Sequence, residues 1–132
     1  MVKIVTACLV GLVRSVGLAD VLKCHYTNTD VVPVGLGSNS QETLAMLLQW
    51  SDWFIIMEEH YRDKVPRLVK DSYYPHQYDD TNWVDSADKI VCCDVGPDRY
   101  GGHGCGSHHP ELLNQCFKWV SANEKRLGIT HK

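Results

Sequence analysis

The chain has 132 residues, 44% of them hydrophobic and 22% charged, with a formal net charge of −3. That composition predicts one ordinary globular domain over residues 1–132, long enough to bury a core. The slight negative charge and the lack of a long basic block argue against nucleic acid as the main partner, and the longest apolar run is too short to span a bilayer.

The first apolar run, Lys3-Ile-Val-Thr-Ala-Cys8, predicts a β-strand over about Lys3 to Ala7. Val5-Thr-Ala-Cys8 imitates a lipoprotein cleavage site, but only four residues precede it, so it reads as strand and the chain as cytoplasmic. The six cysteines are then expected to be free thiols. A helix follows over about Val16 to Cys24, then a turn from His25 to Asp30. Val31 to Leu36 is a short second strand, and Pro33, with no N–H for the ladder, suits a sheet edge. Asn39 and Glu42 are spaced like a capping box ahead of Leu44, Leu47 and Leu48 at helical spacing.

Trp53-Phe-Ile-Ile-Met57 is continuously apolar, as expected of a buried central parallel strand. Glu58 to Lys70 has a helical pattern with Tyr61, Val65, Leu68 and Val69 on one face, broken or restarted at Pro66. Residues 71–88 show no period and read as irregular. Lys89 to Asp94 is the fourth strand, with Cys92 and Cys93 inside it. Pro110 opens a final helix that carries Leu112, Leu113, Cys116, Phe117 and Val120 inward and ends at Gly128. Four strands alternating with helices predict a parallel α/β sheet, whose ligands bind beyond the strand C-termini.

Two segments meet at that end of the sheet. The first is Cys8-Leu-Val-Gly-Leu-Val-Arg14-Ser15, a cysteine and an arginine five residues apart between the first strand and the first helix. Backbone N–H groups of Leu9, Val10, Gly11, Leu12 and Val13, together with the helix N-terminus, can cradle a dianion there. Arg14 can grip two oxygens with its planar fork, and the positive field favours the thiolate form of Cys8, to which Ser15 can donate a hydrogen bond. A bare Cys-x5-Arg arises readily by chance, with Cys8 a buried strand-end hydrophobe and Arg14 on the surface. The strand-before, helix-after setting favours an anion-binding loop and a cysteine nucleophile facing phosphate.

The second segment is Asp94-Val-Gly-Pro-Asp98-Arg-Tyr100-Gly-Gly102. Expelling an oxygen leaving group from phosphorus calls for a proton donor, and Asp98, beside the ring of Tyr100, suits that task. Its plainer reading is a turn aspartate after proline, and Asp94 at the strand end is the fallback acid.

These residues resemble the low-molecular-weight protein tyrosine phosphatase family over most of the chain. The resemblance rests on Ile4 to Ser15, on Asp52-Trp-Phe-Ile-Ile-Met57-Glu-Glu-His60, and on Asp94 to Gly102 with one glycine inserted relative to the family's acid loop. Pro33-Val-Gly-Leu36 is loosely similar to its Ser-Ala-Gly turn. The family loop has Asn where Gly11 stands, a second cysteine where Val13 stands, and Pro where Arg99 follows the acid.

The resemblance implies a three-layer α/β/α, flavodoxin-like fold with a four-stranded parallel sheet. It implies phosphate monoester hydrolysis through phosphocysteine, with Cys8 as nucleophile, Arg14 and the loop amides on phosphate, Ser15 supporting the thiolate, Asp98 as acid and Tyr100 as a wall for an aromatic ring. No cofactor or metal is needed in that scheme. The expected substrate is a phosphotyrosyl protein or a small phosphate ester, handled by a monomer or weak dimer. Three other readings stay open. One is an arsenate reductase with Cys92, Cys93 or Cys105 as resolving thiol, and another is a phosphate-binding module without turnover. The third is a metal site from His103, Cys105, His108 and His109, whose spacing matches no standard zinc motif and reads more simply as exposed loop histidines.

Overall fold

A computed structural model describes residues 1–9, 13–65, 68–70, 83–85, 87–96 and 109–132. In chain order its elements are β1 (Val2–Cys8), α1 (Val13–His25), β2 (Thr29–Gly35), α2 (Gln41–Trp50), β3 (Trp53–Ile56), a 3-10 helix (Glu59–Lys64), β4 (Leu68–Lys70), β5 (Trp83–Asp85), a 3-10 turn (Ala87–Lys89), β6 (Ile90–Cys92), α3 (Pro110–Ala122) and α4 (Glu124–Leu127). Four strands form one parallel sheet in the order β2-β1-β3-β6, and β4 pairs antiparallel with β5. This is the expected parallel α/β architecture.

The order explains the strand sequences. Interior β3 is covered on both faces, and Phe54, Ile55 and Ile56 are fully buried, which is why the run shows no polar alternation. Pro33 lies in β2, the edge strand, where its missing N–H leaves no gap in the interior ladder. From β1 the chain steps through α1 to β2, then back across β1 through α2 to β3. Right-handed crossovers in opposite directions put α1 and α2 on opposite faces, and α3 packs along α1, completing three layers. Ile4, Leu18, Leu22, Leu44, Leu48 and Leu112 fill the space between them, all fully buried.

Several elements depart from the sequence expectation. Helix α1 starts at Val13, so Arg14 and Ser15 sit in its first turn and not on the loop before it. The cap of α2 is Ser40, whose hydroxyl accepts from the Thr43 N–H at 3.2 Å, while Asn39 donates to the Gly35 carbonyl at 2.7 Å. The helical pattern over Glu58 to Lys70 holds only as the 3-10 helix Glu59–Lys64, and Leu68–Lys70 is strand, paired with Trp83–Asp85 from the stretch read as irregular. Three-residue strands offer too little alternation to be told from helix by periodicity. The last helix is interrupted at Asn123, and Gly128 caps α4 in the left-handed region at φ 73°. Leu112, Cys116 and Val120 are buried as expected, with Leu113 and Phe117 half-buried beside them. Cys24, read as closing the first helix, is exposed in its last turn.

Candidate functional site

Parallel pairing brings the C-terminal ends of three strands together. Cys8 is in register with Gly35, and Ala7 with Ile56. Beyond the strands, Leu36 N–H donates to the Cys8 carbonyl at 2.7 Å, Gly37 N–H to Leu9 at 2.8 Å, and Met57 N–H to Ala7 at 3.0 Å. The chain after β1, β2 and β3 is therefore tied down around Cys8.

Ser15 returns to the same point from the first turn of α1. Its Oγ lies 3.1 Å from Cys8 Sγ, and both side chains are buried. The Thr6 hydroxyl, fully buried in β1, donates to the Ser15 carbonyl at 2.8 Å and so fixes the helix start against the strand. A hydroxyl held this way can donate to a thiolate with little reorganisation.

Arg14 is the anomaly that marks the site. It is only 3% exposed, although a buried charge is tolerated only when paired and hydrogen-bonded. Its Nη2 donates to Glu58 Oε2 at 3.1 Å and to the Tyr61 hydroxyl at 3.0 Å, and its Nη1 donates to the Gly96 carbonyl at 2.9 Å. Among the described residues, its Nε is the one buried side-chain nitrogen or oxygen without a hydrogen-bond partner. Buried donors are nearly always satisfied, and an orphan is a mark of a ligand-binding or catalytic role.

The electrostatics follow from this triangle. Burial opposes the Arg14 charge, but the hydrogen bond to Glu58 and the attraction of Tyr61 and Glu58 outweigh it and hold the guanidinium above its ordinary value. Burial also opposes the Glu58 charge, but hydrogen bonds from Tyr61 and Arg14 hold the carboxyl below its usual range. Tyr61 is pushed up, by burial first and then by its hydrogen bond to Glu58. Arg14 and Glu58 are thus an ion pair with a neutral phenol between them.

The sequence-level candidates divide accordingly. Cys8, Arg14 and Ser15 converge, and Leu9 and Val13 flank them, half-buried against the core. Val10, Gly11, Leu12, Asp98 and Tyr100 lie outside the described residues, as do His103, Cys105 and His108. His109 caps α3, its Nδ1 accepting from the Glu111 N–H at 3.2 Å. Among the described residues no three His, Cys, Asp or Glu side chains gather in a way that could hold a metal ion, and no helix is long and apolar enough to cross a membrane.

Sequence reasoning missed Glu58, Tyr61 and Gly96 as partners of Arg14. Helical spacing places Tyr61 only on an apolar face. The available signal was positional: Glu58 follows β3, the neighbour of β1, so it emerges at the same sheet end as Cys8.

The geometry also bears on the resolving thiols. Cys92 sits in β6, which is separated from β1 by β3. Two strand spacings are about 10 Å, whereas a disulfide needs Cα atoms within about 7 Å. Burial pushes the Cys92 thiol up to about 11, and burial plus a hydrogen bond with Cys116 raises Cys93 as well. Neither is placed or activated to attack sulfur at Cys8.

No family model matches the chain, and no curated protein matches it significantly. Among solved structures, Vibrio vulnificus Wzb in complex with benzylphosphonate is similar, with a TM-score of 0.59 and 14% identity over 95% of this chain and 98% of that one. The crystal structure of Primo-1 is also similar, with a TM-score of 0.55 and 13% identity over 95% and 97%. The likeness covers nearly the whole chain and shows a fold like that of the low-molecular-weight tyrosine phosphatases, as the resemblance in sequence implied.

Proposed function

We propose that this chain is a cysteine-dependent phosphatase that cleaves phosphate monoesters through a phosphocysteine intermediate. The observation that carries the proposal is the meeting of the Ser15 hydroxyl and the Cys8 sulfur at the end of β1, with the buried Arg14 next in the chain. Nucleophile, its hydrogen-bond donor and an anion-binding cation then come from a single strand-to-helix connection.

The Cys8 thiolate attacks phosphorus in line, forming the S–P bond as the P–O bond to the leaving group breaks. Arg14 and the amides of residues 9–13 hold the three equatorial oxygens, where transition-state charge resides. Asp98 gives its proton to the departing oxygen. Water then attacks phosphorus, Asp98 takes its proton, and the S–P bond breaks to release inorganic phosphate and the thiolate. Ser15 donates to sulfur both when it is a thiolate nucleophile and when it is a leaving group. Benzylphosphonate bound to Wzb joins an aromatic ring to a phosphorus oxyanion; a similar site here takes aryl phosphates, including phosphotyrosine, with Tyr100 beside the ring.

Hydrolysis of para-nitrophenyl phosphate over about pH 5 to 8 tests this, with Cys8→Ser and Asp98→Asn as comparisons. Turnover by the wild type, loss of it in Cys8→Ser and slowing by roughly 100-fold or more in Asp98→Asn are expected. An Asp98→Asn variant that behaves as wild type removes Asp98 from the acid role. A wild type that binds vanadate without turnover would mean a phosphate-binding module.

A further inference from the structure

The contact between Arg14 and Gly96 joins the two segments that the sequence places at one end of the sheet. Gly96 follows β6 by a short exit: Cys93 N–H donates to the Ile56 carbonyl at 2.8 Å, the Cys93 and Val95 side chains are buried, and Asp94 between them is exposed. Asp94 Oδ1 accepts from the Gly96 N–H at 2.9 Å. Gly96 has φ 83°, a left-handed conformation that glycine adopts without the Cβ penalty. Its carbonyl accepts from Arg14 Nη1 at 2.9 Å.

A guanidinium is planar, so fixing both terminal nitrogens fixes the plane and with it the direction of Nε–H. Glu58 and Tyr61 hold one end, and Gly96 holds the other. Nε is the donor left without a partner. Such a fork is oriented before its anion arrives, which is where electrostatic stabilisation gains most.

We propose that Asp94 and Gly96 are positioning residues for Arg14. The Asp94 carboxylate caps the Gly96 N–H, the capped turn presents the Gly96 carbonyl to Nη1, and Arg14 is thereby held by the segment that runs on into Asp98. The inference rests on the phosphatase reading above and assigns Asp94 a role other than proton donor. It also gives the glycine inserted in this loop a specific task.

The test compares Asp94→Ala with Asp94→Asn, because Asn keeps an oxygen acceptor for the Gly96 N–H and cannot ionise. Orthovanadate affinity is measured first, then KM, kcat and the pH profile for para-nitrophenyl phosphate, with thermal melts to show that each variant is folded. Asp94→Ala is expected to weaken vanadate binding and raise KM about fivefold, the size of one neutral hydrogen bond. Asp94→Asn is expected to recover most of that loss, and both variants should keep the basic limb of the profile. Gly96→Ala, strained at a positive φ, is expected to share the KM defect.

Equal damage from Asn and Ala with loss of the basic limb would make Asp94 the proton donor and overturn the proposal. Wild-type vanadate affinity in Asp94→Ala and Gly96→Ala would overturn it as an idle contact. Failure of the phosphatase reading shows in the wild type instead. Binding without turnover removes the enzyme but leaves the affinity comparison to judge the positioning role, and no vanadate binding removes both.

Discussion

Replacing Glu58 by Gln removes the charge opposite Arg14 while keeping the shape and an acceptor oxygen. At the observed 3.1 Å, and with an effective dielectric of about 20, the attraction is about 5 kcal/mol before desolvation. The Glu58 side chain is a quarter exposed and Arg14 is almost fully buried, so solvation returns much of that. A net loss of about 2 kcal/mol is expected, the usual size of a hydrogen bond between charged groups. Urea unfolding of Glu58→Gln, Arg14→Met and the double variant measures it, since the cycle isolates the pair. The acid limb gives a second readout. The Glu58 carboxyl is depressed in the folded state, so its stabilisation is present above the ordinary value of 4.5 and is lost as pH falls through the depressed one. Glu58→Gln should therefore show a shallower acid decline than wild type. It should also bind vanadate more tightly, because Arg14 then faces the anion with less of its charge neutralised. A coupling energy below about 0.5 kcal/mol, with an unchanged acid limb, would refute the ion-pair reasoning.

Other outcomes follow from the same contacts. Ser15→Ala should lower kcat of aryl phosphate hydrolysis about tenfold or more with little change in vanadate affinity, because it removes the donor to sulfur and not to phosphate; equal loss in both would contradict that division. Tyr26 is pushed up to about 12 by burial and by its hydrogen bond to Glu124, and Cys92 to about 11 by burial and then Glu59. Raised acids stabilise the fold fully below their ordinary values of 10.0 and 9.0, and that contribution falls as pH rises toward the folded values. Urea midpoints should therefore drop between about pH 9 and 12, less steeply in Tyr26→Phe. Gly128→Ala meets nothing within 4 Å, yet φ 73° should make it destabilising by about 1 kcal/mol, and Gly128→Asn by less; an equilibrium unfolding curve matching wild type would mean the α4 cap relaxes freely.

The fold was legible where burial imposed a long pattern. The unbroken Trp53 to Ile56 run identified an interior parallel strand, Pro33 identified an edge, and the spacing of Leu112, Cys116 and Val120 identified the inward face of α3. It was not legible where elements are three residues long. Leu68 and Val69 fit a helix face by spacing, but pairing with Trp83–Asp85 decides their structure, and no local pattern announces a partner that far along the chain. The site was half legible for a related reason. Cys8, Arg14 and Ser15 are close in sequence, so a motif can hold them. Glu58, Tyr61 and Gly96 reach Arg14 only through the strand order β1-β3-β6, and their role depends on burial of a charge that sequence does not reveal. The start of α1 at Val13 is not legible either, because the apolar, glycine-containing sequence before it offers no capping residue.

In the proposed reaction Cys8 carries the phosphoryl group. Rapid acid-free quenching of wild-type protein during turnover of an aryl phosphate, followed by mass spectrometry of the peptide containing Cys8, tests it directly. One added phosphoryl group on Cys8 is expected, formed within the first turnover and absent from Cys8→Ser. Turnover with no phosphoryl group on that peptide, or full activity in Cys8→Ser, would contradict it.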